Sequence, residues 1–407
     1  MKIRSITYFC NPKNPFDEKV LRSAGDFLSK AKSAFEAGGY EVQTVRLATT
    51  PFPNLLNGRV GDLPAIAQGL ANLLPQIGIA YASLGPALIE FPESYAVIPD
   101  AIAASENIFF GGVMADRKNG ISMQAVKACA EVIQQAATIE ANGFANLRFA
   151  ALANVYAGAP FFPAAYHDAD KPAFAIAVES ADVAVDAFAG QSDFSEGRSA
   201  LVAEIQRHGQ AIARIAESEL SSIRFLGIDF SLAPFPDDAH SLGNAVEKMG
   251  VPKIGLHGSL AAAAILTEAI ERADFPHTGF SGFMQPVLED SVLARRAAEG
   301  TLTIKDALLY SAVCGTGLDT VPLPGDVTAD EMSPLLLDLC ALALRLDKPL
   351  TARLMPVPGK RAGDVTEFDF GFFANSKVMR LDSAPLTPPF SASQNIHLNA
   401  RKHESAG

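Results

Sequence analysis

The sequence predicts an α/β fold in which a parallel sheet is covered by helices. Three observations carry this. Apolar strand-like runs alternate with segments of helical spacing, the 407-residue chain is 49% hydrophobic and 19% charged, and no Gly/Ser-rich or charged linker divides it. Alternating strands and helices imply parallel pairing with crossover helices on the sheet faces. The composition can fill one large core. The uninterrupted pattern points to a single domain over 1–382, followed over 383–407 by a loosely held polar tail ending in "ASQNIHLNARKHESAG".

In order, "IRSITYF" is a strand and "DEKVLRSAGDFLSKAKSAFEAGG" a helix, with Asp17 and Glu18 in its first turn and glycines at its stop. "YEVQTVRLA" returns as a strand. A helix over 63–74, the strand "IGIAYASL", a helix over 94–104, the strand "NIFFGGVM" and a helix over 121–140 continue the alternation. The apolar run "LRFAALANVY" reads as a buried strand, and the loop "AGAPFFPAAYHD" is too aromatic for a solvated connection, so it is expected to pack over something. Next come the strand "AFAIAVES", a long helix over 196–221, a strand over 224–232, and helices over 239–250, 259–272, 291–298, 304–313 and 329–344. Strands over 351–357 and 364–370 close the order.

The net charge of −12 is spread without visible blocks, which argues against nucleic acid and anionic membrane surfaces as partners. No apolar run reaches the ~18 residues a membrane span requires. "MKIRSITYFC" reads as a strand rather than a signal segment, and Cys10, Cys129, Cys314 and Cys340 form no CxxC pair. A cytoplasmic protein with reduced thiols is the expectation. Walker A, GxGxxG, HExxH, GxSxG and kinase patterns do not occur, and "CGTGLD" lacks the third glycine of a dinucleotide loop.

Four stretches can carry chemistry. In "GIDFSLAPFPDD", Asp229 lies between Ile228 and Phe230 at a strand's carboxyl end, where ligands bind in parallel sheets. An Asx turn within its own Ser/Pro loop is the alternative. In "GLHGSLAAAA", His257 and Gly258 precede Ser259, a natural N-cap, so a helix start offers N–H groups to an anion beside an imidazole; a histidine holding a loop carbonyl is the alternative. "FSGFMQPVLEDS" supplies Ser281, Glu289 and Asp290, the last two also readable as the acidic first turn of a helix. "HDAD" offers His167, Asp168 and Asp170 as metal ligands or as a solvated turn. Cys314 reads as a nucleophile or as small buried packing.

Taken in order, "IRSIT", "KNGISM", "PFFPAAYH", "GIDFSLAPFP", "GLHGSLAA", "GFSGFMQPVLED", "GTGLD" and "ARLMPVPGKRAGDVTEF" resemble the uncharacterised family DUF711, also called UPF0210, from the first strand to about residue 381. The resemblance implies a homodimer and a single large ten-stranded α/β barrel, helices outside, like that of pyruvate formate-lyase-like (PFL-like) glycyl radical enzymes. Radical chemistry is not implied, because nothing after Phe370 supplies the RVxGY-like glycine. The resemblance also marks Lys118, His167, Asp229, Ser231, His257, Gly258, Ser281, Glu289, Asp319 and Arg353 as recurring polar positions.

The expected function is an enzyme acting on a small anionic metabolite inside the barrel. Lys118 and Arg353, with Ser231, Gly258, Ser259 and Ser281, fix the anion; His257, Asp229 and Asp319 move protons; His167, Asp229 and Glu289 form a set that could hold a divalent metal. The cofactor is otherwise left open. A second reading is a non-catalytic regulatory protein that binds a small molecule in the same pocket. A third treats these polar groups as interior fastenings, whose loss costs about 1 to 3 kcal/mol each.

Overall fold

A computed structural model describes residues 1–313 and 315–401. Its strands are β1 (Lys2–Cys10), β2 (Val42–Thr49), β3 (Tyr81–Ala87), β4 (Ile108–Asp116), β5 (Gly120–Ser122), β6 (Phe149–Ala153), β7 (Ala173–Glu179), β8 (Arg224–Ala233), β9 (Gly317–Pro324), β10 (Leu350–Val357) and β11 (Asn395–Ile396). They form one sheet in the order β8-β7-β1-β2-β3-β4-β6-β10-β9, with β5 and β11 appended to β4.

The first expectation needs correction at two junctions. β1, β2, β3, β4 and β6 are mutually parallel, but β7 joins β1 and β10 joins β6 antiparallel, so five strands run one way and β7, β8, β9 and β10 the other. The cause lies between β6 and β7, where a helix-free loop replaces the crossover that parallel pairing needs. Strand prediction also failed elsewhere: the short β5 and β11 went unread. β9 went unread because Pro322 and Pro324 remove ladder donors, which a strand at the end of the order tolerates. The stretch 364–370 alternates like a strand but forms only an isolated bridge, Val365 to Lys377.

The chain from 276 to 287 hydrogen-bonds both end strands. Ile228 of β8 donates to Pro276 O (2.8 Å), Thr278 donates to Ile228 O (3.1 Å), and Leu232 donates to Gly282 O (3.1 Å). At its other end Val287 donates to Asp319 O of β9 (3.0 Å), and its bridges to β8 and β9 are both parallel.

One sheet face holds the main core. Ile6, Leu47, Leu84, Phe110, Ile176 and Phe230 meet helices there, among them Glu18–Ala37, Met123–Ala136 and Ala329–Leu346. The helix Glu18–Ala37 shows why. Asp17 caps it by accepting from Lys19 N (3.1 Å), Leu21, Leu28, Ala31 and Phe35 bury one stripe, and Gly39 at φ 87 ends it. Each large side chain so buried contributes about 1.5–3 kcal/mol.

The other face is lined by small residues, and the aromatic loop after β6 fills the space they leave. Phe9, Ala48 and Ala175 pack on Phe162 and Ala165; Ala150 and Leu152 pack on Ala159, Ala164 and Phe280. Ser83 Oγ donates to Ala165 O (2.7 Å), which satisfies a loop carbonyl that water does not reach. The loop does pack over something: the sheet itself.

The tail is held more firmly than its composition indicates. β11 pairs with β5, Arg401 N donates to Arg345 O (3.0 Å), and Leu386, Ile396 and Leu398 lean on the main core.

Candidate functional site

Where the loop stops short of the sheet edge, a cavity of about 180 Å³ remains. It lies where β1 to β4 begin and β7 and β8 end, a geometry only the antiparallel junctions allow. Its walls carry Arg4, Arg46, Asp229, Glu289 and Arg353, closed in by Tyr81, Phe109, Phe161, Phe162 and Phe370. A larger hollow of about 510 Å³ lies beneath the tail, beside the helix Met123–Ala136, but its Lys127–Asp330 pair is exposed and needs no ligand.

Backbone irregularities turn the charged residues inward. The β1 register against β7 shifts between Ile3 and Ser5, so Ile3 and Ile6 both face the helices and Arg4 is released toward the cavity. β8 carries two extra residues between Asp229 and Ala233 opposite Ala177 and Glu179. Between Leu318 and Val321, β9 carries one extra residue opposite Arg353, and Thr320 adopts φ 41 there. A left-handed β-branched residue is strained, and such strain gathers where side chains must be aimed.

Arg353 is the hub. Its Nε donates to Asp319 Oδ1 (2.5 Å), and its Nη2 reaches Asp319 Oδ2 (3.0 Å) and Glu289 Oε1 (2.7 Å). Arg4 takes the other Glu289 oxygen. All three members of the Arg353 group are buried. Burial pushes the Glu289 carboxyl up, but Arg4 and Arg353 outweigh it and hold the group below its ordinary range. Burial also drives Asp319 up; Arg353 opposes this, Glu289 reinforces it, and the net shift is upward.

Asp229 forms the Asx turn and also reaches the cavity wall. Its Oδ1 accepts from Ser231 N (3.2 Å), Ser231 Oγ (2.6 Å) and Ser281 N (3.0 Å), and its Oδ2 from Phe280 N (2.9 Å). The first of these is the Asx turn; yet the carboxyl lines the cavity, and burial raises it above the ordinary aspartate range despite its donors.

Arg46 differs from the other two arginines. Its Nε donates to Thr44 Oγ1 (2.9 Å), and its guanidinium lies 5.1 Å from the Phe162 ring centre and 5.9 Å from that of Tyr81. Among the described residues it makes no ion pair. Burial first, then repulsion from Arg4, pull it down to about 9. A guanidinium resists losing its proton, so a counter-anion relieves this cost more readily than deprotonation does.

Of the predicted residues, Asp229, Ser231, Glu289 and Arg353 line the cavity; Asp319 sits behind Arg353, and Ser281 braces Asp229. The remaining assignments to a shared site are corrected. His257 is solvent-exposed and does not line the cavity. Gly258, at φ 106, is the helix N-cap instead of Ser259, whose Oγ accepts from Gly255 N (3.0 Å) and donates to Leu256 O (2.7 Å) within the preceding turn. Lys118 is exposed on the β4–β5 turn, 2.9 Å from Glu90. His167 is buried, with its backbone N–H on Thr49 O (2.9 Å) at the far end of β2 from the cavity. The set His167, Asp229 and Glu289 is therefore not assembled, and among the described residues no three His, Cys, Asp or Glu are grouped to hold a metal ion. Cys314 lies outside the described residues.

Sequence reading missed Arg4, Thr44 and Arg46. The signal was there: an arginine inside a strand that must be paired on both sides, as in "IRSIT" and "YEVQTVRLA", has no solvent to point at.

A family model described as "Uncharacterised ACR (DUF711)" matches residues 1–376. The chain is 33% identical over 353 residues to a UPF0210 protein of Pyrobaculum arsenaticum, an alignment covering 82% of this chain and 77% of the relative. With a UPF0210 protein of Desulforudis audaxviator it shares 30% identity over 405 residues, 94% of this chain and 87% of the relative.

Proposed function

Because the chain belongs to the uncharacterised DUF711 family, we propose its function from the site: it binds a small anionic metabolite in the arginine-lined cavity and transforms it by acid–base chemistry at Asp229. The observation that carries this reading is Arg46, a cation turned into an aromatic-walled cavity without a carboxylate partner among the described residues. The rings on its walls lower the local polarity, and an electrostatic contact made against them is stronger than one in open water. Asp229 supplies the proton function. A carboxyl raised by burial can hold or accept a proton at pH values where an ordinary aspartate cannot, and it shares the cavity with the anion-binding group. Arg353 and Arg4 keep Glu289 ionised, which separates the two carboxyls in role.

We read the fold around this cavity as a closed ten-element barrel. Support comes from the segment 276–287, which bonds the two end strands and runs with β7 to β10, giving five elements in each direction. The function is tested by incubating the protein with pooled metabolites and following turnover by mass spectrometry. The Asp229→Asn protein is expected to retain binding and to lose conversion by about a hundredfold or more. Wild-type turnover in that variant removes Asp229 from the chemistry.

A further inference from the structure

The cavity limits its occupant in three independent ways. The first is size. Some 180 Å³ is little more than the ~150 Å³ hollow that accepts a benzene ring, so the part of a ligand seated inside is small. The second is charge. Arg353 is matched by Asp319 and Glu289, and Arg4 shares Glu289, with Glu179 adding to its charge field; Arg46 alone among these three cations has no carboxylate partner among the described residues. One negative charge balances Arg46, whereas a dianion would also face Glu289 and Asp229 on the same walls. The third is geometry. Thr44 occupies Nε, and the Tyr81 and Phe162 rings flank the guanidinium, which leaves the two Nη groups as a fixed fork. Two parallel donors match the two oxygens of a carboxylate. Beyond the fork the walls carry the rings of Phe109, Phe161 and Phe370 together with Leu147, Val178 and Met284.

We propose that the ligand is a monocarboxylate whose apolar body seats about ten non-hydrogen atoms in the cavity, held end-on by the Nη groups of Arg46. This rests on reading the cavity as an anion site and names the class of anion.

The full-length protein is titrated calorimetrically with benzoate, butyrate, benzamide and inorganic phosphate, alongside Arg46→Gln and Arg46→Lys. Benzoate or butyrate binds; benzamide, the neutral isostere, binds at least about tenfold more weakly; phosphate gives no heat. Arg46→Gln abolishes carboxylate binding, and Arg46→Lys weakens it at least about tenfold, because an ammonium keeps the charge but not the fork. Melting curves establish that each variant is folded, and the Lys variant decides the matter if the Gln variant is not. Benzamide equal to benzoate, or Arg46→Lys equal to wild type, overturns the carboxylate fork. Phosphate binding that depends on Arg46 overturns the proposed class and leaves the anion site standing. No Arg46-dependent binding of any anion overturns both.

Discussion

Around His257 the chain places an imidazole, a glycine and a serine in succession before a helix, whereas the cavity draws Arg4, Arg46, Asp229, Glu289 and Arg353 from most of its length. The first arrangement has the look of a site and is a solvated turn: His257 is exposed, and the Ser259 hydroxyl is spent on its own neighbours. In the second, no two members are close in sequence, and the Arg353–Asp319–Glu289 group is buried. Adjacency in a chain mostly produces local hydrogen bonds, which satisfy polar groups cheaply. Charges gathered from distant strands must be desolvated, and that cost persists only where the fold holds them together.

The contrast can be broken most forcefully at its hub. Arg353→Met leaves buried Asp319 with no guanidinium and Glu289 with Arg4 alone, and chemical denaturation should show a loss of about 3–5 kcal/mol; a change below about 1 kcal/mol would mean the group does not hold these strands together. A smaller effect sharpens the comparison through pH. The raised Asp229 holds its proton in the folded protein at pH values where the unfolded chain, near 3.8, has lost it. Its contribution to stability is therefore fully present below the unfolded value and is lost as pH rises through the folded one. The stability of wild type minus that of Asp229→Asn should decline over that window, and a flat difference would show that the carboxyl titrates normally. The smallest effect belongs to the turn: His257→Ala should alter stability by no more than about 0.5 kcal/mol and leave benzoate titration unchanged. A marked loss of binding there would restore the turn to the site.

Much of the fold was readable because apolar period and helix caps are local. The helix over 259–272 appears with those bounds, and the one over 291–298 as Ser291–Glu299. Strand direction was not readable, since it depends on what joins β6 to β7 rather than on either strand. Glu289 and Asp290 show the same limit at the site. They are neighbours and look alike in sequence, yet Asp290 caps the helix Ser291–Glu299 through Val292 N and Leu293 N (both 2.9 Å), as its position foretold, while Glu289 joins two arginines from β1 and β10. Only the register shift in β1 decides that Arg4 reaches it. Such shifts follow from sheet-wide packing and leave no spacing to read.

The order of synthesis gives the central position of β1 a further meaning. One edge of β1 can be filled by β2 within the first fifty residues, but the other waits for β7 at Ala173. Arg353 emerges later still, from a strand that begins at Leu350. A nascent chain therefore carries Arg4 and Arg46 long before their surroundings exist, and any fragment ending ahead of β10 leaves Asp319 with no guanidinium to meet it. The cavity becomes whole only once the chain has emerged as far as Phe372.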